Sequence, residues 1–473
     1  MTTLATWELR AEFARRLSAM YGREVPAYNT LVEVSTEVNE EYVAKHGTEA
    51  ERLGSIERVT AERHGAIRLG SPKEMAQVAR IFAAFGMYPV GFYDLRDASA
   101  SSVPVVSTAF RPIDGAELAK NPFRVFTSML AAEDPRFFDR ELRAELAEFI
   151  GSRQLFGAEL LNLADTAAAS GGLGPDDAER LLELATAAFE LSGEPVDYEW
   201  YKKLEAVSAV ASDIGGVSST HINHLTPRVL DIDELYRRMQ ERGISMIDEI
   251  QGPPRWDGPD LLLRQTSFRA LGESRVFRYA DGSINEGELR VRFGEVEARG
   301  IALTVAGREL YDRMVAEADA TLALAPAGTT RVDVAAKVWA ENLPRTEKEL
   351  ALQGLAFFTY RLNENAPGLA SLPGTASLAD LIETGIAVPQ PIVYEDFLPR
   401  SAAGIFQSNL TEEGSKDVDQ IGTSYDIRRM SRIVGSEVHD PNDLYQRQQD
   451  DSIVALAQRL SISVTPTSAH QPN

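Results

Sequence analysis

Residues 219–249 of the chain read STHINHLTPRVLDIDELYRRMQERGISMIDE. His224 lies near the end of a short extended run, and Asp231, seven residues later, is placed to cap a helix. Gly243 follows the apolar positions of that helix, where a left-handed residue commonly ends one, and Ile244–Ile250 alternates like a half-buried strand. The stretch therefore predicts a strand, a capped helix and a second strand.

An upstream stretch, residues 64–95, follows the same pattern and reads HGAIRLGSPKEMAQVARIFAAFGMYPVGFYDL. Ser71 stands seven residues after His64 and is placed to cap a helix that begins with Pro72. Gly86 ends the apolar pattern of this helix and precedes a predicted strand. The two stretches therefore predict the same local structure.

Two tetrapeptides farther along the chain keep this correspondence. Thr108–Arg111 (TAFR) begins 44 residues after His64, and Thr266–Arg269 (TSFR) begins 42 residues after His224. Three landmarks in register indicate an internal duplication. We predict an α+β fold with two βαβββ units that form a curved sheet, and a histidine at the equivalent point of each first strand.

Length and composition limit the possible functions. With 473 residues the chain has room for about three domains, and its net charge of -23 argues against nucleic acid or an anionic membrane as a partner. The absence of cysteine excludes disulfides, thiolate metal sites and a cysteine nucleophile. Because no signal peptide or run of transmembrane length is apparent, we expect a cytoplasmic protein that acts on a small molecule. The oligomeric state stays open.

The domain organisation follows from the repeat. The predicted parts are N-terminal helices at 1–55, the first unit at 56–130, a helical insert at 131–216, the second unit at 217–304, a helix and strand region that closes the active site at 305–464, and a disordered tail at 465–473. Within these parts we expect a loop at Gly22–Thr30 and a last strand of the second unit at Leu289–Glu297. The polar region after Leu410 gives little structural signal.

The histidines are few and unevenly placed. Of six in the chain, His64, His221 and His224 lie in or beside the repeated first strands. A single strand histidine is usually a buried core residue, but the equivalence of His64 and His224 favours a shared role. The spacing to the helix cap favours His224 over His221, which remains an alternative.

The predicted last strand adds an acidic residue to this set. Glu295 falls on the apolar face of that strand, and a carboxylate avoids the interior unless it is paired or binds a cation. Two imidazoles and one carboxylate from three strands form a facial triad that leaves one side of an octahedral ion open. We propose His64, His224 and Glu295 as metal ligands and catalytic residues, with Glu297 as the alternative carboxylate.

One arginine is placed to bind an anionic substrate near these ligands. Arg68 lies four residues after His64, on the same face of a regular strand, and a guanidinium binds a carboxylate bidentately. We predict that Arg68 binds substrate and takes part in catalysis; an ordinary ion pair is the alternative. Arg111 and Arg269 stand at equivalent places in the two units, and we expect structural ion pairs for both.

Six segments in chain order resemble the 2-oxoadipate dioxygenase/decarboxylase family, also called hydroxyglutarate synthase. They are HGAIRLG at 64–70, MYPVGFYDL at 87–95, STAFRP at 107–112, NPFRVFTS at 121–128, THINHLTPR at 220–228 and AAGIFQSNL at 402–410. The two-unit layout with two histidines and a glutamate also resembles the vicinal-oxygen-chelate superfamily. Phe293–Val296 is similar to the strand that carries the glutamate ligand in 4-hydroxyphenylpyruvate dioxygenase.

The resemblance implies an Fe(II) enzyme of lysine catabolism that converts 2-oxoadipate and O₂ to 2-hydroxyglutarate and CO₂. It implies that His64 contacts the substrate as well as the iron, and that substrate also meets the loop containing Arg400 and Ser401. An apolar residue is expected at the position of Arg400, so this departure leaves the preferred chain length of the substrate open. Two other functions remain in view: iron-dependent oxygenation of an aromatic 2-oxo acid or catechol, and ligand binding without catalysis.

Overall fold

The computed structural model of the chain describes residues 3–97, 103–270, 272–289, 292–369, 372–399, 405, 409, 416–417 and 420–465. Helices lie at Thr6–Glu24, Pro26–His46, Ile56–Ala61, Pro72–Ala84, Gly115–Lys120, Arg140–Ser152, Ala158–Ser170, Pro175–Ala187, Tyr198–Glu205, Ala209–Gly215, Ile232–Glu241, Val305–Ala323, Arg331–Asn342, Glu347–Leu352, Leu378–Glu383, Ile427–Val434 and Pro441–Leu460, with a 3₁₀ turn at Gly47–Glu51.

The strands, numbered in chain order, are β1 (Leu4–Ala5), β2 (Arg63–Leu69), β3 (Tyr88–Asp94), β4 (Val105–Arg111), β5 (Arg124–Leu130), β6 (Gly172–Leu173), β7 (Val196–Asp197), β8 (Ile222–Pro227), β9 (Leu263–Ser267), β10 (Glu273–Arg278), β11 (Ile284–Leu289), β12 (Glu295–Arg299), β13 (Phe358–Leu362), β14 (Thr375–Ser377), β15 (Ala387–Pro391) and β16 (Ser463–Thr465). The fold is therefore mixed α+β, as the sequence predicted.

A five-stranded sheet with the order β3-β4-β5-β2-β8 positions the site. β2 runs parallel to β5 and antiparallel to β8, so the first strands of the two repeats are direct neighbours. β12 pairs with β9, and a bridge between Arg228 and Glu297 places β12 beside the end of β8. Strands from both repeats therefore meet where β2, β8 and β12 come together.

The predicted helix boundaries follow from capping chemistry. Ser71 and Glu74 form a capping box at the start of the helix Pro72–Ala84, and the Asp231 side chain accepts a hydrogen bond from the backbone N–H of Glu234. Gly86 and Gly243 follow these helices with φ of 64° and 78°, a region that side chains with a Cβ rarely adopt. Both helices therefore begin and end where the sequence predicted.

The first helix packs between the sheet and the insert. Phe13 stacks on Phe85 at 4.4 Å between ring centroids and meets Phe123, the residue before β5, edge-on at 6.0 Å. On its other side Phe13 lies 6.2 Å from Phe189 of the insert region. The N-terminal helix is thus part of the central core. A separate apolar core lies in the C-terminal part of the chain, around the buried Trp339.

Several local predictions were wrong. The loop predicted at Gly22–Thr30 is instead the end of one helix and the start of the next, broken only at Val25, because Pro26 fits the first turn of a helix. The strand predicted at Ile244–Ile250 is reduced to isolated bridges at Met246 and Gln251. A bend at residues 248–249 lies between these bridges, so the alternating pattern does not form a continuous strand.

The last strand of the second unit was also wrongly bounded. The predicted strand Leu289–Glu297 spans the end of β11 and the start of β12, which belong to different sheets. An alternating pattern has the same period in both strands and does not mark the change of sheet.

The C-terminal region contains more structure than its polarity indicated. The helix Pro441–Leu460 has 20 residues and contributes buried Leu444, Tyr445, Ile453 and Leu456. Thr465, the first residue of the predicted disordered tail, lies in β16, and residues 466–473 are outside the described residues. Within the described ranges, no helix combines the length and apolar character that crossing a membrane requires.

Candidate metal centre

Three side chains from three strands converge in the interior. His64 of β2, His224 of β8 and Glu295 of β12 each present one ligand atom, and these atoms lie within 4.8 Å of one another. The Nε2 atoms of His64 and His224 are each 3.5 Å from a different oxygen of Glu295. All three side chains are buried. These are the ligand residues predicted from the sequence, brought to one point.

The pairing of β2 with β8 sets the positions of the two imidazoles. Ala66 stands opposite His224, whereas Ile67 stands opposite Ile222, so Asn223 is an extra residue that forms a bulge. The two imidazole rings lie 5.4 Å apart between centroids, at an interplanar angle of 83°. A bulge re-aims the side chains beside it, and here it accompanies the convergence of His224 on His64.

The donor set fits a divalent metal ion. Ligand atoms about 2.1 Å from an ion and roughly at right angles lie about 3 Å apart, close to the observed 3.5 Å separations. Among the described residues, no arginine or lysine lies within ion-pair distance of Glu295. A buried carboxylate without a cationic side chain needs another cation. Two imidazoles and this carboxylate can therefore hold a metal on one side and leave the other side open.

Glu297, the alternative carboxylate, lies behind His64. Its Oε2 is 2.8 Å from Nδ1 of His64, while Arg299 contacts both carboxylate oxygens at 2.7 and 2.8 Å. Arg124 approaches the same carboxylate at 3.3 Å. A carboxylate in contact with the outer nitrogen of a histidine fixes the ring orientation and favours Nε2 as the ligand atom. Glu297 can thus orient His64 without joining the ligand cluster.

Glu295 has its own support. The Nε2 of Gln265, from the neighbouring strand β9, donates a hydrogen bond to Oε1 of Glu295. Gly294 immediately precedes Glu295, and a Cβ on this glycine would lie 1.9 Å from the ring of Phe268. Since the backbone N–H of Phe268 also donates to the Gly294 carbonyl at 2.9 Å, the entry to β12 is held against β9. Glycine permits this close approach.

A buried network of ion pairs extends from Glu297 away from the ligands. Arg124 contacts Glu62 at 2.7 Å and Glu395 at 2.5 Å, and Arg228 contacts Glu62 at 2.9 Å. Arg58 also pairs with Glu395. Burial alone would raise the pKa of Glu62, but the surrounding arginines hold it well below its ordinary value. In this buried network, the charges of the arginines and the carboxylates therefore balance one another.

The C-terminal region enters this network through Glu395 and Asp396. Arg111 binds the two oxygens of Asp396 at 2.8 and 3.0 Å, as expected for a structural ion pair. Tyr445 donates a hydrogen bond to Asp396 and accepts one from the backbone N–H of Glu395 at 2.8 Å. Tyr445 lies in the region that gave little sequence signal, so sequence reasoning missed it. The other equivalent arginine, Arg269, forms an exposed pair with Asp248 at 2.7 Å.

Tyr21 of the first helix is a second residue that the sequence did not single out. Its hydroxyl lies 3.0 Å from the carbonyl oxygens of both Asn223 and Phe293. Burial raises the pKa of Tyr21, so the hydroxyl stays protonated and can donate. The contact joins the bulge beside His224 to the segment before Glu295. Only an amphipathic helix was visible in the sequence, because the two carbonyl groups come from distant segments.

Aromatic side chains form an apolar wall beside the ligands. The ring of Phe397 meets His64 edge-on at 5.0 Å between centroids, and Phe126 lies 4.9 Å from Phe397. Phe293 lies 5.4 Å from the ring of His224. Burial, reinforced by the neighbouring positive charges, lowers the pKa of His224 well below its ordinary value. His224 is therefore neutral, the form in which imidazole binds a metal.

The alternative histidine, His221, lies in a different environment. Its Nε2 is 3.5 Å from Oδ1 of Asp213 and 3.2 Å from Nδ2 of Asn223. Burial lowers the pKa of His221 to about 3. The other oxygen of Asp213 is 2.5 Å from Nη1 of Arg68. His221 is thus connected to Arg68 through Asp213 and is not part of the cluster formed by the three predicted ligands.

Arg68 is buried rather than placed on the surface. Only 4% of the residue is exposed, and its partner Asp213 is 5% exposed. An incoming carboxylate therefore has to share or replace the contact with Asp213. The two other predicted substrate contacts, Arg400 and Ser401, lie outside the described residues.

The chain is similar to known proteins over most of its length. A family model described as 2-oxoadipate dioxygenase/decarboxylase matches residues 13–409. A Mycobacterium bovis protein named 2-oxoadipate dioxygenase/decarboxylase is 56% identical over 442 residues, covering 93% of this chain and 96% of that protein. A Pseudomonas putida protein of the same name is 40% identical over 462 residues, covering 96% and 97%.

A solved structure is similar over nearly the whole chain. The crystal structure of hydroxyglutarate synthase from Pseudomonas putida in complex with 2-oxoadipate has a TM-score of 0.81 and 37% identity, and the match covers 97% of this chain and 99% of that one. The shared fold therefore includes the strands that carry the ligand cluster and the C-terminal region that contacts it.

Proposed function

The chain belongs to the 2-oxoadipate dioxygenase/decarboxylase family, and we propose that it converts 2-oxoadipate and O₂ to 2-hydroxyglutarate and CO₂. The equation balances, since the two oxygen atoms of O₂ account for the additional oxygen of the products. The family relation supports the substrate and reaction. The observation that carries the proposal is the buried convergence of His64, His224 and Glu295, with no arginine or lysine against the carboxylate among the described residues.

We propose that the metal is Fe(II), held by these three residues. Bound iron supplies the oxygen chemistry that turns a 2-oxo acid into a shortened hydroxy acid. Within the protein, Glu297 orients His64 through Nδ1 and Gln265 orients Glu295. The aromatic wall around Phe397 excludes water from the face it covers.

The substrate is a dicarboxylate, and we propose that Arg68 binds its remote carboxylate. Arg68 and His64 lie on the same strand, four positions apart, and Asp213 holds the guanidinium in place. Exchange of Asp213 for a substrate carboxylate keeps the buried arginine paired. The loop with Arg400 and Ser401 is proposed as a second substrate contact, on the basis of the family resemblance.

We also propose that the fold consists of two vicinal-oxygen-chelate units, bounded as the sequence predicted. The order β2-β5-β4-β3 in the first repeat and the succession of β8, β12 and β9 in the second support this arrangement. In it, the metal site lies where the first strands of the two units pair, and the C-terminal region closes the site.

The experiment is an anaerobic loading with Fe(II) followed by addition of substrate and oxygen. We expect oxygen uptake, CO₂ release and 2-hydroxyglutarate in equal amounts from 2-oxoadipate. The same assay with 4-hydroxyphenylpyruvate serves as the comparison, because an aromatic 2-oxo acid tests the rival substrate class. Turnover of the aromatic acid alone would contradict the proposal, as would binding of 2-oxoadipate without any reaction. Loading with Mn(II), Co(II) or Zn(II) in parallel tests the identity of the metal.

A further inference from the structure

A cavity lined in part by His221 lies close to Asp213. It has a volume of about 540 Å³ and is lined by residues of the insert, the segment before β8, and β10, among them Val196, Gly216, His221, Arg275 and Arg278. The three proposed metal ligands and Arg68 do not line it. His221 forms part of its wall and contacts Asp213. The cavity is therefore separate from the metal centre but adjacent to it.

Arg275 is the unusual residue of this cavity. It is 8% exposed, and its Nε is buried without a hydrogen-bond partner. Its Nη1 makes one long contact of 3.5 Å with the carbonyl oxygen of Ser192. Among the described residues, no carboxylate lies within ion-pair distance of Arg275, although Glu273 and Asp213 are near enough to oppose the lowering of its pKa by burial. A buried guanidinium with no carboxylate in direct contact is costly, which favours a ligand that supplies one.

Other buried arginines of the chain are compensated differently. Arg111, Arg124 and Arg299 contact carboxylates at 2.8, 2.5 and 2.7 Å respectively. Burial lowers the pKa of Arg275, whereas at Arg299 the carboxylates of Glu297, Glu62 and Glu395 together outweigh burial and raise the pKa. Arg275 thus has the burial of a structural arginine without the close carboxylate.

The remaining charges of the cavity indicate what kind of anion fits. Arg278, three residues along β10, is exposed and makes no ion pair within the described part of the chain. Glu194 and Asp197 also line the cavity, but Glu194 accepts a hydrogen bond from Ser218 and Asp197 caps the helix Tyr198–Glu205. These two acids repel a group that concentrates its charge at one point, such as phosphate, more strongly than a dicarboxylate whose two single charges are separated.

We propose that this cavity is a carboxylate-binding site in which Arg275 binds the anion. Arg278 is exposed and lines the cavity, so its charge attracts the anion, and the neutral His221 offers a polar wall. The choice of a small dicarboxylate as ligand rests on the proposed function, whereas the need of Arg275 for an anion does not. The site differs from the metal centre in needing no metal and no 2-oxo group.

Glutarate tests the site because it has two carboxylates and lacks the 2-oxo group. Its binding to the metal-free full chain is measured by calorimetry for wild type, Arg275→Gln, Arg275→Lys and Arg68→Gln. We expect Arg275→Gln to weaken glutarate binding at least tenfold and Arg275→Lys to weaken it less. Arg68→Gln should retain it, since Arg68 does not line the cavity. Circular dichroism shows whether each variant is folded.

Three outcomes would overturn the proposal. They are unchanged glutarate affinity in folded Arg275→Gln, loss of all glutarate binding in Arg68→Gln, and tighter binding of inorganic phosphate than of glutarate. Turnover of 2-oxoadipate by the iron-loaded wild type is measured in parallel. Failure of that reaction would count against the proposed function and leave the calorimetric result on Arg275 intact, so the two failures are distinguishable.

Discussion

The ligand cluster and the buried ion network share strand β12 but differ in how a buried carboxylate is compensated. In the network, Glu62 is surrounded by arginines, and Arg124 contacts three carboxylates. In the cluster, the described residues bring two imidazoles and the neutral amide of Gln265 to Glu295, but no arginine or lysine. β12 contributes to both, with Glu295 in the cluster and Glu297 in the network.

This difference separates two uses of a buried carboxylate. A compensated carboxylate fixes geometry, because removing either partner leaves an unpaired charge in the interior. A buried carboxylate without a cationic side chain beside it is available to bind a metal. In the metal-free protein, such a carboxylate lowers the free energy of unfolding. Glu297 lies between the two cases, since it belongs to the network and contacts His64. Variants at these positions therefore test whether the two regions differ as proposed.

The largest expected effect is loss of activity in Glu295→Gln. The amide keeps the shape of the side chain but removes the charge that we propose binds the metal. Turnover should fall by more than about 100-fold, beyond the range typical of residues that only support a ligand. Metal content by elemental analysis should fall in parallel, while the metal-free protein stays folded by circular dichroism. Retained metal and turnover would move the ligand assignment to Glu297.

The next effect is on stability and concerns Arg124→Met. Removing this guanidinium takes a buried cation from Glu62 and Glu395, which keep Arg228 and Arg58 as their closest partners. Loss of one partner from a buried ion pair typically costs about 3–5 kcal/mol. Urea denaturation of the metal-free protein measures the change in free energy of unfolding. The control is Arg180→Met, since Arg180 pairs with Glu159 on the surface and its loss should matter little. Equal losses in both variants would refute a structural role for the network.

Glu297→Gln should weaken the binding of the metal, but less than Glu295→Gln does. Loss of a carboxylate that orients a histidine ligand typically weakens metal affinity by about 10–100-fold. Anaerobic metal titration followed by calorimetry gives the affinity, and Glu297→Asp should restore part of it. If Glu297→Gln lowers the free energy of unfolding but leaves the metal affinity unchanged, Glu297 serves the ion network alone.

A smaller effect is expected for Arg68→Gln. We expect the KM for 2-oxoadipate to rise roughly tenfold, since a charged hydrogen bond to a carboxylate contributes about 1.5–3 kcal/mol. Metal content should not change. Steady-state oxygen uptake measures the KM, and Arg269→Gln is the control because its ion pair with Asp248 is exposed. The same KM in both variants would indicate that Arg68 has a structural role only.

The smallest effect is a pH dependence of stability that arises from Glu62. Because its pKa is far below the ordinary value in the folded protein, Glu62 contributes stability above a pH of about 4.3, the pKa expected when unfolded. That contribution is lost as the pH falls through the folded pKa. The difference in unfolding free energy between wild type and Glu62→Gln should therefore narrow below this pH. A constant difference would show that Glu62 is not charged in the folded protein.

Much of the local structure was predictable because it depends on neighbouring residues. Ser71 and Asp231 cap their helices, and Gly86 and Gly243 end them, since capping needs only a few adjacent positions. The bounds of the last strand in the second repeat were not predictable in the same way. An alternating pattern continued across Leu289–Glu297 although the chain changes sheets there.

The partners of buried charges were beyond the reach of sequence reasoning. Arg124 and Glu395 are 271 residues apart in the chain, and no local pattern pairs them. The same is true of Tyr21, whose hydroxyl meets the Phe293 carbonyl across 272 residues. Such contacts depend on how separate elements pack, and packing is a property of the whole chain.

By itself, the sequence determined the mixed α+β class and the caps and ends of two helices, and it singled out His64 and His224 by their matching spacing to those caps, because caps, helix ends and spacings are local. Only the tertiary structure decided which imidazole and which carboxylate share one buried space. A bulge at Asn223 accompanies the placement of His224 beside His64, while His221 lies against Asp213. The arginines against Glu297 compensate its charge and leave Glu295 as the carboxylate that faces the two imidazoles.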